Sequence, residues 1–405
     1  LKSRSSRGPA SGSGARRPPE PPVLPEWLTA GVGGFVRDLV LAYDRGRVLD
    51  HRGWLWVTSP LLFAAALLSK ETALTLPLAL LLWESCCPAG LARHSWWRAQ
   101  WVHWSLLLVA AIIALLHSSY SEMLVFEPTL TTLRTQVHGV AYLMTRWVRL
   151  DDLNIDPDLP LQTDWNPVLA GQALGLAALL VAGAWAAVRR PWLGFGVLWF
   201  FVHLLPGNTL ILRWDVASER QLYLAGIGLF VAAGIEWMRL TGDLPRPASR
   251  IAAPALLAVL ATFTWNRNLD YRSEVALWED TVRKSPAKAR AHNNLGGLMY
   301  FLERRAEARE AFEASLAAEP NADAYSQLGT MAFDEADYAR SADMFERAVE
   351  LSPDDCQLVG NLASSYHWGG DRARAGAAFR KAIEVCEASL AAAPADPLLM
   401  ASLAG

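Results

Sequence analysis

Cysteine and histidine are scarce in this chain, four and eight among 405 residues, and neither is arranged for chemistry. Cys86 and Cys87 are adjacent, and no Cys-x-x-Cys pair or paired histidine spacing offers a zinc or redox site. No Walker A run, no Gly-x-Gly-x-x-Gly after a strand and no nucleophile elbow is present. Positive charge is not in excess either: 37 Lys and Arg stand against 40 Asp and Glu. Residues 271–405 carry 21 acidic and 14 basic side chains, a balance that repels a phosphate backbone and argues against a nucleic-acid partner. The opening stretch, LKSRSSRGPASGSGARRPPEPPVLPE, lacks the apolar core of a secretory signal. Its Pro, Gly, Ser and Arg cannot bury enough apolar surface to fold. Residues 1–50 are therefore expected to be a disordered or atypical tail, with an upstream segment missing.

Apolar residues and tryptophan are plentiful. Hydrophobic residues make up 52% of the chain, and 16 of the 18 tryptophans fall in residues 1–270. Tryptophan beside long apolar runs marks a membrane–water interface, where its amphipathic ring satisfies both phases. Seven spans are predicted: Trp54–Leu68, Thr72–Cys86, Trp101–His117, Val168–Val188, Trp192–Leu205, Leu222–Met238 and Ile251–Trp265. Several fall short of the ~20 residues a perpendicular crossing needs, which snorkelling flanks or longer neighbours tolerate. Any one of them reads alternatively as a re-entrant or core helix. Loops with Arg45, Arg47 and Arg52, with Arg93 and Arg98, with Arg189 and Arg190, and with Arg239, Arg246 and Arg250 alternate, and should face the cytoplasm. The other side receives Ser69-Lys70-Glu71, residues 118–167, residues 206–221 and everything after Trp265.

The C-terminal third is periodic. Leu295-Gly296, Leu328-Gly329 and Leu362-Ala363 recur at 33 and 34 residues, as do Pro286, Pro320 and Pro353, and Phe312, Phe345 and Phe379. Ala308, Ser341 and Ala375 stand four residues before each phenylalanine. This is the tetratricopeptide pattern of paired helices, A and B. Small residues let the pair approach, the aromatic fills the gap between repeats, and proline, lacking an N–H, ends helix B. The fold class is therefore all-α: a polytopic membrane helix bundle over 51–266, a tetratricopeptide-repeat α-solenoid over 270–390, and a tail over 391–405. The concave face of such a solenoid comes mainly from A helices. Asn294, Tyr325 and Asn361 lie in or near them, where they could grip an extended acceptor peptide or, equally, satisfy carbonyls between repeats. Cys356 and Cys386, near the start of helix A and the end of helix B of the third repeat, read as two buried thiols. A disulfide is the alternative in an oxidising compartment.

Three groups on the outer side are candidates for chemistry. Lys70-Glu71 interrupts two apolar helices, and charges at that depth are expensive. The pair either neutralises itself in a tight turn or presents Lys70 to an anionic headgroup. Arg149-Leu-Asp-Asp-Leu-Asn-Ile-Asp-Pro-Asp-Leu-Pro160 gathers Asp151, Asp152, Asp156 and Asp158 within eight positions. Such a cluster suits a divalent cation, sugar hydroxyls or a general base, though Asp-Pro and Asn are also ordinary turn formers. Arg220 and Tyr223 open a span, where the planar guanidinium fork suits phosphate or anchors the helix end.

The ordered set Ser69-Lys-Glu-Thr-Ala-Leu-Thr-Leu-Pro77, Asn154-Ile-Asp-Pro-Asp-Leu-Pro160, Ser218-Glu-Arg-Gln-Leu-Tyr-Leu224 and Leu277-Trp-Glu-Asp-Thr-Val-Arg-Lys-Ser-Pro286, followed by the repeats, resembles the transmembrane and tetratricopeptide-repeat protein O-mannosyltransferases and their bacterial relatives. The resemblance covers roughly residues 50–390. It implies a GT-C-type glycosyltransferase of the bacterial inner membrane or the ER membrane. Such an enzyme moves a sugar from a polyprenyl-phosphate donor to Ser or Thr of a client outside the cytoplasm. It further implies that Arg220 and Lys70 contact the lipid phosphate. The implied partners are the bilayer, the lipid-linked sugar donor and a client protein; no cofactor is assigned, and a divalent cation stays open. Enzymes of this kind place a catalytic carboxylate in the first outer loop, between the first two spans, and no such loop precedes Trp54. Glu20, Glu26, Asp38, Asp44 and Asp50 are not in that setting, so the catalytic residue is unassigned: either the upstream part is missing, the favoured reading, or this member is inactive. Two other classes stand beside this one: a non-catalytic membrane-anchored repeat scaffold, and a polysaccharide polymerase or ligase, which seldom carries these repeats.

Overall fold

The computed structural model describes residues 32–48, 51–69, 71–86, 96–116, 130–147, 149–150, 152–205, 208, 216–241 and 246–392. Every regular element among them is a helix. Tertiary contacts divide the chain into two units, Leu1–Lys70 and Glu71–Gly405.

The first unit holds α1 (Val32–Val48) and a π turn, Trp54–Thr58, that runs into α2 (Ser59–Ser69). Helix α1 corrects the reading of residues 1–50 as a tail. Leu39, Ala42 and Tyr43 are buried, at the three-to-four-residue spacing that lines one helix face.

The second unit opens with a short 3-10 turn, Glu71–Thr75, then α3 (Leu76–Cys86) and α4 (Trp96–Leu116). Lys70 lies outside the described residues. Helix α5 (Leu130–Arg146) occupies much of the stretch expected as an outer segment. Its buried residues Thr135, Gly139, Leu143 and Arg146 follow the helical period.

Helices α6 (Pro167–Arg189), α7 (Pro191–Leu205) and α8 (Gln221–Thr241) pack side by side. Helix α6 starts where Asn166 accepts from the N–H of Leu169, with proline at the first helical position. Glycine brings α7 against α8: a Cβ on Gly196 would stand 2.6 Å from the Gly228 carbonyl oxygen. Where lipid removes the hydrophobic drive between helices, small residues of this kind permit the close packing that replaces it. Arg190 reaches Glu236 at 3.2 Å and Arg239 reaches it at 2.8 Å, so the α6–α7 corner and the end of α8 share one end of the bundle.

Helices α6 and α8 are long and apolar enough, by length and composition, to cross a membrane. Trp54–Leu68, Ala73–Cys86, Ala99–Ile113 and Pro191–Leu205 are shorter apolar helices. Leu174, Val181, Trp185 and Val188 on α6, with Phe230 and Met238 on α8, are exposed. An exposed apolar surface of that extent marks an interaction face. Helix α9 (Arg246–Asp270) contains the predicted Ile251–Trp265 stretch and is likewise exposed along its apolar residues.

After α10 (Glu274–Lys284) come three helix pairs: α11 (Ala289–Phe301) with α12 (Arg305–Ala318), α13 (Ala322–Asp334) with α14 (Tyr338–Leu351), and α15 (Cys356–Trp368) with α16 (Arg372–Ala392). Pro286, Pro320 and Pro353 each follow a helix end by two residues, where the chain can no longer continue as a helix. Gly296 lies under the ring of Phe312, which a Cβ would meet at 2.7 Å, and Gly329 lies under Phe345 at 3.0 Å. Phe312 also packs with Leu328 and Met331 of the next repeat. Each A–B turn passes through the left-handed region, at Glu303 (φ 60°), Ala336 (φ 59°) and Gly370 (φ 84°). Cys356 and Cys386 are joined by a disulfide across α15 and α16, in place of the two thiols expected. The antiparallel pair brings their Cα atoms to 5.1 Å, within bridging distance.

Candidate functional site

Three of the four motif blocks, separated by up to 131 positions in sequence, meet at the end of the bundle where α9 passes into α10. Asn154 Nδ2 donates to Ser285 Oγ at 2.8 Å, and the Asp158 N–H donates to the same oxygen at 3.0 Å. Lys284 Nζ reaches the Leu153 carbonyl at 2.8 Å, and the Glu219 N–H reaches that of Asn154 at 3.3 Å. Asp156, only 2% exposed, pairs with Arg290 of α11 at 2.8 Å and faces Lys288 at 3.9 Å.

Arg267, near the end of α9, is the hub. Its guanidinium takes Glu219, Asp270 at 2.9 Å and Asp280 at 2.7 Å. The hydroxyl of Tyr271 also donates to Glu219. Burial works against the Arg267 charge, but Glu219, Asp270 and Asp280 hold its pKa above the ordinary value. Burial likewise opposes ionisation of Asp280. Hydrogen bonds from Lys284 and Arg267 outweigh it and keep that carboxyl below its usual range. Burial and then the Glu219 hydrogen bond push the Tyr271 hydroxyl up. The arrangement is a polar lock between the loop at 152–160, the segment at 216–220, α9 and the first helices of the repeat region.

The acidic loop is therefore divided. Asp152 turns to Arg146 at 2.5 Å and Arg149 at 3.2 Å, while Asp156 turns to α11. Asp158 is exposed, and Asp151 lies outside the described residues. Among the described residues no three His, Cys, Asp or Glu converge to hold a metal. Arg220 stands immediately before α8, exposed, with its Nε 3.3 Å from Ser218 Oγ. Tyr223, in the first turn of α8, is 53% exposed. Both lie at the lock end, next to Glu219. Glu219, Asp280 and Ser285 lie inside two of the motif blocks, but sequence reasoning gave none of them a role and missed Arg267, which stands outside every block.

The repeats form a second feature, a groove of about 730 Å³ lined from α10 to α15. Asn294 and Asn361 both line it. Tyr325 does not: it lines a separate hollow of about 370 Å³ beside α14, under the guanidinium of Arg347 at 5.9 Å. Gln327, overlooked because it is not asparagine, stands between the two amides at the same repeat position. The signal was present in Asn-Leu-Gly, Gln-Leu-Gly and Asn-Leu-Ala at the repeat period.

A tetratricopeptide-repeat family model matches residues 322–355. The C-terminal region carries tetratricopeptide repeats. Protein O-mannosyl-transferase Tmtc3 of Drosophila melanogaster is 33% identical over 117 residues, which are 28% of this chain and 12% of that protein. Protein O-mannosyl-transferase Tmtc2 of the same organism is 29% identical over 120 residues, 29% of this chain and 13% of that protein. The aligned chain spans about an eighth of the length of these curated relatives. Two crystal structures of MamA match at 18% and 17% identity with TM-scores of 0.28 and 0.27. They cover 42% and 52% of this chain and 95% and 92% of the MamA chains.

Proposed function

We propose that this chain serves a membrane glycosyl transfer, of the protein O-mannosyltransferase kind, in which the repeats hold the acceptor protein. The sugar would come from a polyprenyl-phosphate donor and pass to a Ser or Thr hydroxyl at the outer face. The observation that supports this most is the polar lock, where motif blocks of the family resemblance come together beside Arg220 and the first repeat. Similarity to the two fly proteins points the same way.

The same reading makes residues 51–266 a multi-pass membrane domain and 270–390 its extracytoplasmic repeat domain. Arg190 and Arg239 mark the bundle end opposite the lock, and basic loops favour the cytoplasm. A disulfide in the last described repeat accords with an oxidising compartment. In this scheme Arg220 holds the donor phosphate with Tyr223 beside it, and Lys70 stays a separate candidate for a phosphate contact. Among the described residues, Asp158 is the carboxylate of the acidic loop left facing solvent.

A second reading, a membrane-anchored repeat scaffold, draws on the ion pairs already occupying Asp152, Asp156 and Glu219. Reconstitution separates the two. The full-length protein in liposomes, given a polyprenyl-phosphate mannose and a Ser/Thr-rich acceptor protein, is expected to label the acceptor on hydroxyl oxygen. Acceptor binding without any sugar transfer would overturn the enzyme reading and leave the scaffold.

A further inference from the structure

We infer that the groove along the A helices takes an extended, neutral-to-basic segment of a client protein and rejects an acidic one. The inference rests on the reading that the repeats hold the acceptor, and it states what that acceptor must offer. Asn294, Gln327 and Asn361 each stand one residue before the leucine of their repeat, and all three line the groove. A carboxamide both donates and accepts, so each can close hydrogen bonds with the N–H and C=O of a peptide unit. The three amides recur once per repeat along the groove, so a strand laid across them meets one in each repeat.

Charge sets the selectivity. Glu274, Asp323 and Asp355 line the groove, and no Lys, Arg or His is among its lining residues. Asp355 also caps α15, accepting from the N–H groups of Gln357 and Leu358. A wall of one sign favours Lys or Arg on the occupant and opposes Asp, Glu or a terminal carboxylate. At the α10 end, Trp278 and Phe301 line the groove, Phe301 being 81% exposed. They provide an apolar step for one apolar side chain of the segment.

The test titrates the full chain, in nanodiscs, with fluorescent peptides of equal length rich in Lys and Ser, in Thr and Ser, or in Glu and Ser. The Lys peptide is expected to bind about tenfold tighter than the Glu peptide at low salt. The gap should narrow as the ionic strength rises through ~0.15 M, where the screening length falls to about 8 Å. Glu274→Lys with Asp323→Lys should reverse the order. Gln327→Leu should weaken all three peptides while leaving the circular dichroism unchanged. Equal affinities, or an order that the reversal does not move, would overturn the charge selection. Parental binding by Gln327→Leu would overturn the amide ladder. A client crosslinked to B helices with the groove empty would refute this inference and still leave the repeats as the acceptor-holding module.

Discussion

Arg267 on α9 grips Glu219 at the start of α8 in a two-pronged contact, its Nε lying 3.1 Å from each carboxylate oxygen. The remaining nitrogen of the fork reaches across to Asp280 on α10, so one side chain joins the bundle to the repeat region.

Removing it should loosen that joint. Both partners are largely buried, and leaving one of a buried pair uncompensated costs about 3–5 kcal/mol. Arg267→Ala is expected to expose residues 270–274 to protease while the repeats keep their own protection against hydrogen exchange. Arg267→Lys should recover part of the protection, since an ammonium cannot reproduce the fork. Parental protease resistance in Arg267→Ala would show that the joint is held elsewhere.

The lock should also depend on acidity. The Asp280 carboxyl is held below 3.8, burial being outweighed by Lys284 and Arg267. A depressed carboxylate contributes stability that is complete above its unfolded value and lost as the pH falls through the folded one. Hydrogen exchange in α10 is therefore expected to be flat from neutrality towards pH 5, then to accelerate relative to α13 below about 3.8. Asp280→Asn should abolish that extra acid response.

The A–B turns invite glycine. Glu303 and Ala336 occupy the left-handed region that Gly370 fills in the third repeat, and L residues there cost about 1–2 kcal/mol. Ala336→Gly should stabilise the repeats by about 0.5–1 kcal/mol once glycine's looser unfolded chain is counted. Gly370→Ala, with open space around its Cβ, should lose stability through the backbone alone. Urea unfolding of the full chain, followed on the repeats, checks both signs.

The disulfide closes a loop with a sequence separation of 30, and on the chain-entropy account a loop of that size stabilises by about 3–4 kcal/mol. Reduction, or Cys356→Ala with Cys386→Ala, is expected to lower the melting of α15 and α16 first. Peptide mapping without reductant should recover the two cysteines linked. Full alkylation of both in unreduced, folded protein would refute the bond.

Arg220 carries the rate prediction. A charge-assisted contact to phosphate is worth about 1.5–3 kcal/mol, so Arg220→Ala should cut sugar transfer ~10- to 150-fold. Arg220→Lys should restore only part. Transfer at the parental rate by a correctly inserted Arg220→Ala would reassign the residue to anchoring the start of α8.

The repeats were legible because their signal is local: Gly296 with Phe312, and Gly329 with Phe345, sit within one helix hairpin. Helices α1 and α5 were not: α1 sets Asp38, Asp44 and Arg45 among its buried Leu39, Ala42 and Tyr43, and the buried face of α5 is Thr135, Gly139 and Arg146 around one leucine, Leu143. The lock was hidden for another reason. Arg267 meets Glu219 across 48 positions, and nothing in either neighbourhood marks a charge that will be buried. The division of the acidic loop was equally out of reach, since its carboxylates are close in sequence yet turn to arginines on different helices.

A solenoid is nearly one-dimensional, and such arrays commonly fray from their outermost units, which have a neighbour on one side only. Here the last described helix pair is stitched to itself by Cys356–Cys386, and the first is moored through Asp156–Arg290. Neither boundary of the described array is a loose thread. Unzipping from an edge is suppressed, so the three pairs should melt together, as one cooperative block.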